Sequence, residues 1–299
     1  MGKYSIKDLE RLSGIKAHTI RIWEQRYNLL SPERTATNIR YYSDEQLKHL
    51  LNISLLVQHG IRISRISGFS ENEFKERVSS LYHSPRETVA DQEDISRING
   101  LIVAMIELDE QKFNNIFASG LLKLGFEKNL YQVIFPFLEK VGLLWGLGQA
   151  NPAQEHFISN LIRQKMISAI DGLEQPPENA LTYVLFLREG ELHEIGLLLA
   201  SYLLKYHRFR VIYLGQNVPL QDLDEVVRLT RPFALLTLFT TALPGGSQPA
   251  YIQRLESNFK GSKILVAGGL KGIEPSQLGK DTHHFTSPQA LVQFALKTN

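Results

Sequence analysis

Five groups of residues have types and spacings that can do chemistry. Glu191-Leu192-His193-Glu194-Ile195-Gly196 sets an imidazole two residues after a carboxylate and three before a glycine. A histidine can ligate a metal through one ring nitrogen while a carboxylate orients the ring through the other. A surface histidine at a helix start has the same local sequence, so the spacing alone leaves both readings open. Thr237-Leu238-Phe239 and Gly268-Gly269 follow further along, a hydroxyl and a pair of missing side chains that leave room for a ligand. Trp145, with Glu155-His156 after nine intervening residues, offers an aromatic plate and a second carboxylate–imidazole pair. A core tryptophan and an exposed Glu-His pair would read the same way. Near the N-terminus stand Lys16, His18, Thr19, Arg21, Arg26, Arg34, Arg40 and Tyr41. Arginine forks suit phosphates and base edges, although a small protein-binding module can also be arginine-rich.

The elements that must position these groups fall into three regions. In residues 1–83, Ser5 with Asp8 predicts a capping box, then a helix to about Leu12 and a Ser13-Gly14 turn. A second helix is expected from about Lys16 to Tyr27, and residues 28–42 read as a loop with a small hairpin. Ser43 with Gln46 predicts another capping box, Gly60 ends that helix, and a last one starts after Ser70. Helix, tight turn and second helix make a helix-turn-helix, whose second helix would enter the major groove of double-stranded DNA.

Residues 84–94 are polar and read as a linker. Residues 95–173 predict a four-helix bundle, broken near Asp109, Gly125 and Asn151-Pro152, with a kink at Pro136. Residues 174–179 form a second linker. In residues 180–299, apolar runs at 181–187, 211–214, 233–239 and 263–267 alternate with helical stretches. That alternation implies a flavodoxin-like doubly wound α/β domain of about five parallel strands.

Composition narrows the chemistry. The chain of 299 residues has 43% hydrophobic residues, enough to bury cores, and no cysteine. Disulfides, thiolate metal sites and cysteine nucleophiles are excluded. The net charge is +2, but residues 1–75 hold twelve Lys and Arg against eight Asp and Glu. The basic bias thus sits where a nucleic-acid module wants it. No apolar run approaches the roughly 18 residues of a membrane span, so a cytoplasmic protein with no membrane partner is expected.

From Tyr4 to Ser67 the chain resembles the winged helix-turn-helix of the MerR family of regulators. The match is carried by Ile6, Leu9, Gly14, Thr19, Ile20, Arg21, Trp23, Glu24, Arg26, Leu29, Leu30, Pro32, Arg34, Arg40 and Tyr42. Asn38 stands where that family often has a wing glycine, and Asn also tolerates a left-handed backbone. The C-terminal motifs resemble the cobalamin-binding domain of methionine synthases, mutases and light-responsive regulators, with its D-x-H-x-x-G, S-x-L and G-G elements. W-x9-E-H resembles the MerR-type cobalamin photoreceptors, the CarH or LitR regulators.

The resemblance implies a non-enzymatic regulator that binds an alkylcobalamin, adenosylcobalamin before methylcobalamin, and works as a homo-oligomer, a dimer or tetramer. His193 would be the lower cobalt ligand, displacing the dimethylbenzimidazole base, with Glu191 and Gly196 shaping its loop. The base tail would enter near Thr237, Phe239, Gly268 and Gly269. Trp145, Glu155 and His156 would face the upper ligand. Four positions depart from the pattern: Glu191 for Asp, Thr237 for Ser, Phe239 for the smaller Leu, and Gly146 where a second cobalt-binding histidine often follows the tryptophan. Two other readings stand beside this one, a corrinoid methyltransferase subunit and a MerR-type regulator that has lost its cobalamin.

Overall fold

The computed structural model describes residues 3–35, 38–83, 90–146, 151–240, 248–269 and 278–298. The chain forms two compact units, Met1–Asn160 and Leu161–Asn299.

The first unit opens with α1 (Ile6–Ser13). The capping box forms as the sequence predicts: Ser5 Oγ accepts from the Asp8 amide, and Asp8 accepts from the Ser5 amide at 2.8 Å. Gly14, at φ 75°, ends the helix in the left-handed region that favours glycine. α2 (Ala17–Tyr27) follows the tight turn, then the two-residue strands β1 (Glu33–Arg34) and β2 (Arg40–Tyr41) pair as the wing. Asn38 is left-handed at φ 64°, as its place in the wing predicts.

α3 (Asp44–Gln58) starts at Ser43, which accepts from the Gln46 amide. The reciprocal half of the expected box differs. The Gln46 side-chain amide donates to the Ser31 carbonyl, because the loop after α2 brings that acceptor within reach. Short α4 (Ile63–Ile66) and α5 (Glu71–His83) complete this region.

The four helical segments of the bundle are α6 (Ala90–Glu107), α7 (Glu110–Leu124), the composite α8 (Phe126–Asn129) with α9 (Phe135–Gly146), and α10 (Pro152–Asp171). Two details depart from expectation. Ala90–Asp94, read as linker, are helical, and Glu93 and Asp94 both pair with Arg97, at 2.9 and 2.8 Å. Acidic residues in a first turn suit the helix dipole, so polarity there marks a helix start. Pro136 is preceded by a π-helical turn, Leu130–Ile134. Proline has no amide to donate and crowds the preceding turn, and a widened turn is one way to absorb that.

α3 and α6 share a core. Leu47, Leu50, Leu51, Leu55 and Leu56 are buried from one, Leu101, Ile102, Val103 and Met105 from the other. At about 1.5–3 kcal/mol per fully buried aliphatic side chain, such contacts dominate its stability.

The second unit is a five-stranded all-parallel sheet with helices on both faces. Its elements are β3 (Thr182–Arg188), α11 (Ile195–Tyr206), β4 (Arg210–Val218), α12 (Leu223–Thr230), β5 (Ala234–Phe239), α13 (Gln248–Asn258), β6 (Lys263–Gly268), β7 (Thr282–Phe285) and α14 (Pro288–Lys297). The strand order is β4-β3-β5-β6-β7. This is the flavodoxin-like order, whose direction reverses between β3 and β5. One face buries Leu197, Ala200 and Leu204 of α11 with Leu291 of α14. The other buries Leu223 of α12 with Ile252 and Leu255 of α13.

Candidate cobalamin site and DNA-reading surface

In an open parallel sheet, ligands bind beyond the carboxyl ends of the strands at the switch point. The sequence places E-L-H-E-I-G there, in the loop from β3 to α11. Glu191 is fully buried. One of its oxygens accepts from the amides of Leu192 and His193, both at 3.1 Å, and lies 2.7 Å from His193 Nδ1. Arg188, also buried, brings its guanidinium to 3.9 Å from the other oxygen. Against a carboxylate Nδ1 carries a proton and donates to Glu191, which leaves Nε2 as the ring nitrogen free to meet a ligand. The His193 side chain is 58% exposed.

The motifs at the ends of β5 and β6 make the rest of the cradle. Thr237 is buried, and its hydroxyl has no hydrogen-bond partner in the structure. A buried orphan hydroxyl costs stability unless something completes it. Gly268 sits at φ 89°, and a Cβ there would lie 2.4 Å from the Phe239 carbonyl oxygen. Only glycine fits that backbone. Gly269 has open space around it. Phe239 is buried, with its ring edge-on to Tyr251 at 6.1 Å. Burial pushes the Tyr251 phenol up to about 12. At Gly196 a Cβ would meet the Leu238 side chain at 2.6 Å, so the first turn of α11 lies close on β5. An oriented imidazole, an uncompleted buried hydroxyl and a glycine cradle fit a cobalamin with its own lower base displaced.

Among the other expected residues, Trp145 lies in the last turn of α9, and Glu155 and His156 lie in the first turn of α10. His156 Nδ1 is 3.0 Å from Glu155, and its side chain is 73% exposed. No cluster of three or more metal-binding side chains occurs among the described residues.

Sequence reasoning passed over Glu194, Arg163 and Tyr213. Arg163 approaches Glu194 at 2.5 Å through both Nε and Nη2, and the Tyr213 hydroxyl donates to the other Glu194 oxygen at 2.9 Å. Burial and that bond push the Tyr213 phenol well above its usual range. Glu194 was in view within the motif, but its partners come from distant segments.

The residues expected to meet DNA lie on or just before α2 and in the wing. Lys16 precedes α2 and pairs with Glu10 at 3.2 Å. His18, Arg21 and Arg26 are exposed, and Thr19 is half-buried beside the His18 ring. Ile20 and Trp23 hold the opposite face of α2 in the core. In the wing, Arg34 donates to Asn38 at 2.8 Å, and Tyr41 donates to Glu33 at 2.5 Å. Arg40 Nε donates to Glu24 at 3.2 Å, and Tyr42 donates to the same carboxylate at 3.0 Å. Glu24 thus ties the wing to α2, and Arg40 has a structural partner within the protein.

A cleft of about 990 Å³ in this unit is lined by His49, Phe74, Lys48, Glu107 and neighbours, and by none of the expected site residues.

Two stretches of the chain match known families. Residues 4–73 match the MerR HTH family regulatory protein family, and residues 97–168, the helical bundle, match the B12 binding domain. The chain therefore joins a MerR-type helix-turn-helix to a B12-binding region. It is 28% identical over 229 residues to the HTH-type transcriptional repressor CarH of Myxococcus xanthus, spanning 77% of this chain and 76% of that one. It is 26% identical to the HTH-type transcriptional repressor CarA of the same organism, over 79% of this chain and 76% of that one. A monomethylamine corrinoid protein of Methanosarcina barkeri shares the fold, with a TM-score of 0.52 and 18% identity over 70% of this chain and 97% of that one. No helix among the described residues is long and apolar enough to cross a membrane.

Proposed function

We propose that this chain is a DNA-binding transcriptional regulator that senses cobalamin, and that it has no catalytic role. The observation that carries the reading is His193. Its imidazole is oriented by a buried carboxylate at the sheet's switch point, in a chain that also holds a MerR-type helix-turn-helix. In this reading residues 1–83 read operator DNA, 95–173 cover the upper face of the corrin, and 180–299 hold its lower side. His193 would hold the cobalt of a bound cobalamin, and Thr237, Phe239, Gly268 and Gly269 would receive the cofactor's nucleotide tail. Trp145, Glu155 and His156 face the upper ligand. A bound alkylcobalamin supplies a photolabile cobalt–carbon bond, which makes light a candidate signal. Differential contacts in the two ligand states would shift a homo-oligomer, dimer or tetramer, and with it the affinity for DNA.

The test is absorbance titration of the full chain with adenosylcobalamin in the dark, paired with operator gel shifts. A protein-ligated cobalt spectrum that vanishes in His193→Ala, with operator binding that depends on the cofactor, supports the reading. Free-cofactor spectra and cofactor-independent binding would leave a regulator without a sensor. Methyl transfer from a donor substrate would favour the methyltransferase subunit instead.

A further inference from the structure

The loop that carries His193 is anchored on both sides, by different means. Before the histidine the loop's backbone is held by two side chains at the end of β4. The Gly190 amide donates to Asn217 Oδ1 at 2.8 Å, and Gln216 Nε2 donates to the Leu192 carbonyl at 2.9 Å. Glu191 then binds the ring, but it also binds the amides of the same turn. It fixes the imidazole relative to the loop and leaves the loop's own placement to other groups.

After the histidine a charged side chain anchors the loop. Glu194 is the N-cap of α11, and a carboxylate there ordinarily accepts from its own helix's amides, worth about 1 kcal/mol. It makes no such bond. Its carboxylate is buried and is held from two separate elements, by Arg163 of α10 at 2.5 Å and by Tyr213 of β4 at 2.9 Å. The Glu194 carboxylate is buried while Arg163 is part-exposed, and an ion pair that desolvates one partner is seldom a net source of stability compared with apolar packing. What it adds is direction, since two charge-assisted contacts and a phenol fix one carboxylate in place.

We propose that Glu194 is a positioning residue for His193, with Arg163 and Tyr213 as its two holders. The clamp sets where the loop's second half sits on the sheet, and so sets the line along which the imidazole presents Nε2. The chemistry it serves is ligation of a cobalt ion by a neutral imidazole, so the inference rests on the cobalamin reading above.

The test uses the full chain and adenosylcobalamin in the dark. Absorbance titration gives Kd and the cobalt coordination spectrum, and circular dichroism gives Tm. The variants are Glu194→Gln, Tyr213→Phe and His193→Ala, with Leu255→Ala as a packing control in the core of the opposite face. Glu194→Gln is expected to weaken binding about tenfold, and Tyr213→Phe about fivefold, the range for one lost hydrogen bond. Both should shift the spectrum toward that of the free cofactor. Leu255→Ala should lower Tm with the spectrum unchanged.

The inference is overturned if Glu194→Gln and Tyr213→Phe lower Tm as Leu255→Ala does but keep the wild-type Kd and spectrum. Should Glu194→Gln not fold, Tyr213→Phe, which removes a single oxygen, decides the matter. Failure of the underlying reading looks different: wild type and His193→Ala would then give the same free-cofactor spectrum.

Discussion

Glu191 is wholly buried, and one of its oxygens serves the Leu192 amide, the His193 amide and His193 Nδ1 together. A carboxylate with three donors on one oxygen is hard to replace. Glu191→Ala removes the partner that sets the tautomer and leaves those amides unsatisfied. We predict a 10–100-fold loss of adenosylcobalamin affinity, the usual cost of losing the group behind a metal-binding histidine. Isothermal titration of the variant against wild type checks it. An affinity within twofold of wild type would remove Glu191 from the site.

Gly268 and Gly269 are adjacent and predict opposite outcomes. Gly268→Ala must adopt φ 89° and bring Cβ to within 2.4 Å of the Phe239 carbonyl oxygen, a backbone atom that cannot step aside. We expect a loss of about 2 kcal/mol or more, read as a lower urea midpoint at unchanged slope. Gly269→Ala has nothing within 4 Å. It should leave stability within about 0.5 kcal/mol, so any effect it has on cobalamin affinity would be a site effect.

These glycines show what a sequence can carry. G-G after an apolar run marks a strand end where backbone approaches backbone, and E-x-H-x-x-G marks a loop at a strand terminus. Both are local patterns, and both stand where expected. β7 was less legible. Its sequence, Thr282-His283-His284-Phe285, lacks the apolar run of a strand with both faces buried, because it pairs only with β6 at the sheet's edge. The Glu194 clamp was not legible at all, since residues 163, 194 and 213 meet only after the sheet forms. Asp and Glu near Ala90 looked like linker because polarity alone does not separate a loop from a helix's first turn.

The DNA-reading surface separates its arginines by partner. Arg21 is exposed on α2, whereas Arg40 is held by Glu24. Arg21→Ala should weaken operator binding and, if the contact is to a phosphate, reduce the slope of log K against log salt by about one. Arg40→Ala should mainly loosen the wing. Its salt slope should stay near wild type while Tm falls by a few degrees. Fluorescence anisotropy at several salt concentrations, with thermal melts, tests both. A full unit lost from the slope in Arg40→Ala would show that Arg40 also reaches DNA.

Lys140 of α9 donates to the Leu12 carbonyl at the end of α1 across 2.6 Å. Burial pushes its pKa down from 10.5 to about 8. Below pH 8 the folded and unfolded forms both carry the proton, so the cost of the buried charge is present in full. Between about 8 and 10.5 the folded form has released the proton and the unfolded form still holds it. Stability must therefore rise with pH in that window. Tyr4 and Tyr42, whose phenols are pushed up by burial and by carboxylate partners, oppose this above about pH 10. The difference between wild type and Lys140→Met isolates the lysine. Wild type should gain up to about 2 kcal/mol relative to the variant between pH 7.5 and 9.5. Parallel stability curves would mean that Lys140 keeps its proton in the folded chain as it does in the unfolded one.

Gly146 ends α9 directly after Trp145, at a position where the photoreceptor regulators that this chain resembles often carry a histidine. A glycine offers cobalt no ligand. A bound alkylcobalamin would supply a bond that light can break, and the nearest imidazole by sequence would then be His156, whose ring is exposed beside Glu155. The residue next to the tryptophan would contribute none, so the lit state should be held less firmly than one with histidine at 146. Only contacts that differ between the two states can move an oligomerisation equilibrium, and moving it from 1:99 to 99:1 takes about 5.5 kcal/mol. We predict a partial light-driven change in oligomer size for the wild-type adenosylcobalamin complex, and a fuller, longer-lived one for Gly146→His. Size-exclusion chromatography in the dark and after green illumination, with operator affinity measured in parallel, reads both. No change of size or affinity in either protein would defeat the light reading and leave a cobalamin sensor blind to light. A response confined to Gly146→His would identify the missing imidazole as the reason.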